Sequence, residues 1–97
     1  MKILIVDDNK ENLYILETLL RGSGYDITSA LNGADAMEML WNVNDVDMII
    51  SDILMPVMDG FQLCKKVKSN DNFKHIPVVF YTGTFTDNKD GRGMPRV

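Results

Sequence analysis

The sequence has a single cysteine, Cys64, so no internal disulfide can hold the chain together. Cys64 falls on the apolar face of a helical pattern and reads as a small core residue. Long hydrophobic runs are lacking too. The apolar stretch Ile3 to Val6 is far too short for a signal-peptide core, and nothing approaches the roughly 20 residues of a membrane span. We therefore expect a cytoplasmic protein with no membrane association. Positive charge is also in short supply. Fourteen acidic side chains against ten basic ones give a net charge of −4, the wrong sign for a domain that neutralises nucleic-acid phosphates. No helix-turn-helix segment or basic recognition helix occurs. Neither GxGxxG nor GxxxxGK(S/T) is present, which argues against nucleotide binding.

What is there reads as one small domain. At 97 residues, with 45% apolar and 25% charged side chains, the chain has ordinary globular composition and too little material for a second core. Lys2 to Asp7, Val46 to Asp52 and Pro77 to Thr82 are nearly continuous apolar runs, as expected of strands buried on both faces of a parallel sheet. Tyr25 to Ala30 alternates instead, which places it at the sheet edge. Helical patterns lie between. The first runs from about Lys10 to Arg21 with Leu13, Leu16 and Leu20 on one face, Asn9 or Asp8 as its cap, and Gly22 and Gly24 as its stop. The second, about Gly33 to Val43, lines up Met37, Leu40 and Trp41. The third, about Gly60 to Ser69, lines up Phe61, Cys64 and Val67, with Asp59 as its cap. The order β-α-β-α-β-α-β with right-handed crossovers predicts a doubly wound α/β fold. From Gly83 to Val97 the pattern fails, and the chain reads as a polar tail.

The chemistry gathers at strand ends. Asp7 and Asp8 close the first strand and Asp52 the third, and open α/β sheets bind ligands outside the carboxyl ends of their strands. If the first and third strands are neighbours, the three carboxylates converge. Two full charges about 4 Å apart repel by roughly 4 kcal/mol at an effective dielectric near 20, so the cluster should raise a pKa or recruit a cation. All-oxygen ligands point to a hard ion such as Mg²⁺. A blander reading makes Asp7 and Asp8 helix caps and Asp52 the start of a loop, with Pro56 and Gly60 as turn punctuation and Met55 and Met58 as packing. His75, alone in a polar stretch, reads as a surface residue.

The strand ending VDD, the loop SDILMPVMDG from Ser51 to Gly60, and Thr82-Gly83 closing the fourth strand together change the balance. In these motifs the chain resembles the receiver domains of bacterial response regulators, over about residues 1–83, with 84–97 as a tail. The resemblance implies a flavodoxin-like sheet of strand order 2-1-3-4 and a phosphoryl acceptor at Asp52. It implies Mg²⁺ (or Mn²⁺) bound by Asp8, Asp52 and the backbone carbonyl of Leu54, with Asp7 acting through a water. Thr82 would be the switch hydroxyl, and the Gly83 amide would contact the phosphoryl group. The implied partner is a sensor histidine kinase or a phosphotransfer protein.

Receiver domains continue with a further helix, a fifth strand ending in a lysine, and a last helix, none of which is recognisable here. Lys89 lies in the tail and takes no lysine role. Without the fifth strand, Val78 to Tyr81 would form an exposed apolar edge, so we expect self-association through the fourth strand or a partner that completes the sheet. Two other functions compete. A phosphohydrolase of the haloacid dehalogenase type needs a second aspartate two residues after the nucleophile, where this chain has Leu54. A degenerate receiver-like interaction module, without phosphorylation-dependent output, shares every motif and is favoured only by the missing last unit.

Overall fold

The computed structural model describes residues 1–55 and 57–81. Strand β1 (Lys2–Val6) leads to helix α1 (Lys10–Gly22), β2 (Asp26–Ala30), α2 (Gly33–Asn42), β3 (Met48–Asp52), α3 (Gly60–Lys68) and β4 (Val78–Tyr81). All pairings are parallel and the strand order is β2-β1-β3-β4. This is the doubly wound arrangement that the sequence pattern predicts, with the alternating strand at the edge, in the flavodoxin-like order that the receiver resemblance implies.

The continuous apolar runs are explained by burial from both sides. Along β1, Leu4 and Val6 face a core with Ala36, Leu40, Leu63, Val67, Phe73 and Ile76, whereas Ile3 and Ile5 face Leu13 and Ile27. Burying each such side chain stabilises the fold by about 1.5–3 kcal/mol. Among the described residues two helices cover the first face and one covers the second. On the one-helix face, β3 and β4 are less protected: Met48 and Ile50 are half-buried and Val79 is 45% exposed.

The helix termini follow from local chemistry. The Asn9 side chain caps α1, its Oδ1 accepting from the amides of Glu11 (2.8 Å) and Asn12 (3.1 Å), so Asp8 has no capping duty. At the other end Gly24 adopts φ +93°, its N–H meets the Arg21 carbonyl at 2.9 Å, and the Tyr25 N–H meets that of Leu20 at 3.2 Å. This left-handed stop satisfies the last carbonyls of the helix. Asp59 caps α3 reciprocally with Gln62, as its position predicts.

Two helix faces differ from expectation. On α2 the buried line is Gly33, Ala36 and Leu40, while Met37 is half-buried and Trp41 is exposed, its ring edge-on to Phe73 at 4.7 Å. On α3 the buried line is Gly60, Leu63 and Val67; Cys64 is only partly buried, and exposed Phe61 leans on Phe80 at 5.0 Å. In both helices the buried line starts at a glycine and recurs at i, i+3 and i+7, and its small residues, Gly33, Ala36 and Gly60, let the backbone approach its neighbours closely. The larger side chains are rotated to the flank. His75 is exposed, as expected.

Val57 stands out in the loop before α3, with φ +69° and 97% of its surface exposed. A β-branched side chain in the left-handed region costs about 1–2 kcal/mol, whereas asparagine tolerates it. Val57→Asn should therefore raise stability by about 1 kcal/mol in thermal unfolding, since no buried contact is given up.

Candidate functional site

Register brings the acidic residues together. Val6 pairs with Ser51, so Asp7 follows β1 directly beside Asp52, the last residue of β3. The Asp7 N–H bonds to the Ala30 carbonyl at 3.2 Å, which keeps the chain in line with the sheet one residue beyond β1. One carboxylate oxygen from each of Asp7, Asp8 and Asp52 lies within 4.8 Å of the others. Asp7 is 0% exposed and Asp52 4%, while Asp8 is open to solvent. The cluster sits at the carboxyl end of β1 and β3, where the sheet order reverses.

Each carboxylate is held differently. On Asp7, Oδ1 accepts the Asn9 N–H at 2.8 Å, and Oδ2 accepts the Asn12 side-chain amide at 3.1 Å and the Tyr81 hydroxyl. Asp52 Oδ1 accepts from the Leu54 N–H at 3.3 Å, and the Ser51 hydroxyl donates to the Asp52 carbonyl at 2.9 Å. The loop leaving Asp52 is tied back where α3 begins, the Gly60 N–H meeting the Ile53 carbonyl at 2.9 Å. Tyr81 is opposite Asp52 in register and on the same face of the sheet. Burial, then the bond to Asp7, then the negative charge of Asp7, Asp52 and Asp8 push its phenol well above the usual tyrosine range, so it stays a proton donor.

Chemically, this is a set of three hard oxygen donors at the ends of two neighbouring strands, two of them nearly dry. Such a set fits Mg²⁺ or a similar ion and offers neither nitrogen nor sulfur to a softer metal. The structure thus brings Asp7, Asp8 and Asp52 together, and Leu54 contacts Asp52 through its amide. Thr82, Gly83 and Lys89 lie outside the described residues. Tyr81 was not among the expected site residues; its place depends on the register of β4 on β3, which the sequence pattern does not give.

The family model of the response regulator receiver domain matches residues 3–94, beyond the roughly 83 residues over which the motifs are recognisable. The chain belongs to this family, which makes it a signalling module of the two-component type rather than a catalytic enzyme. The chain is similar to the response regulator PleD of Caulobacter vibrioides, 40% identical over 93 residues that make up 95% of this chain and 19% of PleD. It is 35% identical to protein PilG of Pseudomonas aeruginosa over 91 residues, 94% of this chain and 63% of PilG. It therefore spans less than two thirds of either relative. Among solved structures, the chemotaxis protein CheY4 of Vibrio cholerae superposes with a TM-score of 0.77 at 28% identity, covering 96% of this chain and 80% of that one. A receiver domain from Methanoculleus marisnigri gives a TM-score of 0.77 at 32% identity, covering 81% and 63%. No helix among the described residues is long and apolar enough to cross a membrane.

Proposed function

We propose that this chain is a phosphoacceptor module whose Asp52 takes a phosphoryl group from a phosphohistidine on a sensor histidine kinase or phosphotransfer protein. The observation that carries this reading is the convergence of the Asp7, Asp8 and Asp52 carboxylates at one strand-end pocket. In the reaction, an Asp52 carboxylate oxygen attacks phosphorus in line, the P–N bond to the donor imidazole breaks, and the imidazole nitrogen takes up a proton. Asp52 suits the nucleophile role through its place: it ends β3 within the cluster and is 4% exposed, whereas Asp8 stands open to solvent.

Asp8, Asp52 and the Leu54 carbonyl would hold Mg²⁺ (or Mn²⁺), with Asp7 acting through a water. Such an ion, when bound, offsets the charge of the transferring group. Thr82 would supply the switch hydroxyl and Gly83 an amide to the phosphoryl oxygens. In this reading residues 1–83 form the receiver core and 84–97 a tail. Incubation with a small acyl-phosphate donor and Mg²⁺ should add one phosphoryl mass to the intact protein, and none after Asp52→Ala. Equal uptake by that variant would refute the assignment.

The partner surface extends to β4. Among the described residues β4 pairs on one side only, and the period of the strand turns the N–H and C=O groups of Val78 and Phe80 away from β3. With Val79 also partly exposed, this edge suits pairing with a second copy. Sedimentation across micromolar concentrations should show dimer formation that Val79→Lys suppresses; a monomer throughout would rule it out.

A further inference from the structure

Tyr81 has no task in the phosphoryl transfer set out above, yet its hydroxyl reaches across β3 into the aspartate cluster. A carboxylate offers about four acceptor sites, two on each oxygen. On Asp7 the Asn12 amide and the Tyr81 hydroxyl fill Oδ2, and the Asn9 N–H takes one site on Oδ1. One site remains. Asp8, by contrast, accepts no hydrogen bond from the described residues and is exposed. Asp7 and Asp8 are thus alike in type but unlike in availability, and a single side chain makes much of the difference.

We propose that Tyr81 is a positioning residue that assigns roles within the cluster: by filling Oδ2 it leaves Asp7 a single open acceptor site, suited to a water rather than to the ion itself, so that Asp8 and Asp52 are the direct ligands of a hard divalent cation. The proposal rests on reading the cluster as a cation site. It has a consequence for ion choice. Mg²⁺ is held through roughly one or two carboxylates and keeps several waters, whereas Ca²⁺ takes roughly six to eight oxygens. A site restricted to two directly binding carboxylates favours the smaller ion. Freeing Asp7 supplies a third, which benefits Ca²⁺ more.

The position of Tyr81 supports a standing role rather than an incidental contact. It is the last residue of β4 and pairs with Asp52, so the sheet fixes the distance from its backbone to the cluster. Half-buried, its phenol donates to Asp7 from a fixed place on the sheet. Asn12, in the first turn of α1, supplies the second donor to the same oxygen from a different element. Two separate parts of the fold converge on Oδ2 of Asp7.

Calorimetric titration of the full chain with MgCl₂ and with CaCl₂, in wild type and Tyr81→Phe, tests this. The variant should bind Ca²⁺ about tenfold tighter, the equivalent of one hydrogen bond to a charged group, while Mg²⁺ affinity changes far less. Asn12→Ala removes the other donor to Oδ2 and should shift the Ca²⁺/Mg²⁺ ratio in the same direction, which covers the case of a Tyr81 variant that fails to fold. An unchanged ratio, or a fall in both affinities together as expected of a residue that merely braces the fold, would overturn the proposal. A wild-type protein that binds neither ion would refute the cation site itself, and the role of Tyr81 with it.

Discussion

Asp8→Asn should raise the melting temperature of the metal-free protein and remove most of the rise that Mg²⁺ produces in the wild type. The two effects have one origin. Asp8 is one of three carboxylates with oxygens within 4.8 Å of each other, and the folded state must bear their repulsion. At an effective dielectric near 20, a pair of charges about 4 Å apart costs roughly 4 kcal/mol; the exposure of Asp8 reduces the expected gain from neutralising it to about 1 kcal/mol. For a domain of this size that is a rise of roughly 4–8 °C. A cation that binds only the folded state adds about 2.7 kcal/mol at a hundredfold excess over Kd, or roughly 10–20 °C. Asparagine keeps the shape of Asp8 but offers no charge, so most of that gain should vanish. A variant less stable than wild type without metal would mean that the charges are not crowded. A variant that still responds fully to Mg²⁺ would mean that Asp8 is not a ligand.

Gly60→Ala should destabilise the protein by about 2 kcal/mol, although alanine is favoured over glycine in helices by about 1 kcal/mol. An added Cβ would lie 2.5 Å from the Asp52 carbonyl oxygen, 3.0 Å from the Ile53 Cα and 3.2 Å from the Asp52 carbonyl carbon. All three atoms are backbone and cannot swing aside. Relief requires α3 to move off β3, or the strand end bearing Asp52 to shift, so phosphoryl uptake should fall together with stability. Gly22→Ala is the control, because Gly22 is helical and has nothing within 4 Å of the new Cβ. Thermal unfolding of both variants should give opposite signs. Equal effects would mean that the contact between Gly60 and Asp52 is looser than its geometry indicates.

The strands were legible in the sequence because their composition records burial from two sides. Ile3 to Val6 and Ile49 to Ser51 could not be so uniformly apolar or small in a sheet with one wet face, and the alternating Asp26 to Ala30 belongs at the edge where it is found. Caps were legible for a similar reason, since Asn9 and Asp59 stand one residue before a helix and can do little else there. Helix faces were less so. Periodicity in α2 and α3 selects a stripe, but a shift of one residue turns it by about 100°, and the bulkiest side chains, Trp41 and Phe61, drew the expectation away from Ala36 and Leu63. Which residues touch the sheet depends on how near the helix lies to it, and small residues rather than large ones decide that.

The site shows the same division. Asp7, Asp8 and Asp52 could be gathered on paper because each ends a readable strand and the topology makes β1 and β3 neighbours. Tyr81 could not, since its contact with Asp7 crosses an intervening strand and exists only once the register of three strands is set. In a linear reading it is one more apolar residue in Val78 to Tyr81. The capping reading of Asp7 and Asp8 fails for a local reason. Asn9 already accepts from the first amides of α1, which leaves Asp7 to be held by Asn9, Asn12 and Tyr81, and Asp8 to solvent.

The central claim concerns a covalent bond at one residue, and borohydride provides the most direct test, because it reduces an aspartyl phosphate to homoserine and so marks the acceptor permanently. After incubation with an acyl-phosphate donor and Mg²⁺, reduction and peptide mass spectrometry should find homoserine at position 52 and nowhere else, and none when Mg²⁺ is withheld. Homoserine at position 7 or 8, or a peptide containing unmodified Asp52 from protein that has gained phosphoryl mass, would contradict the account.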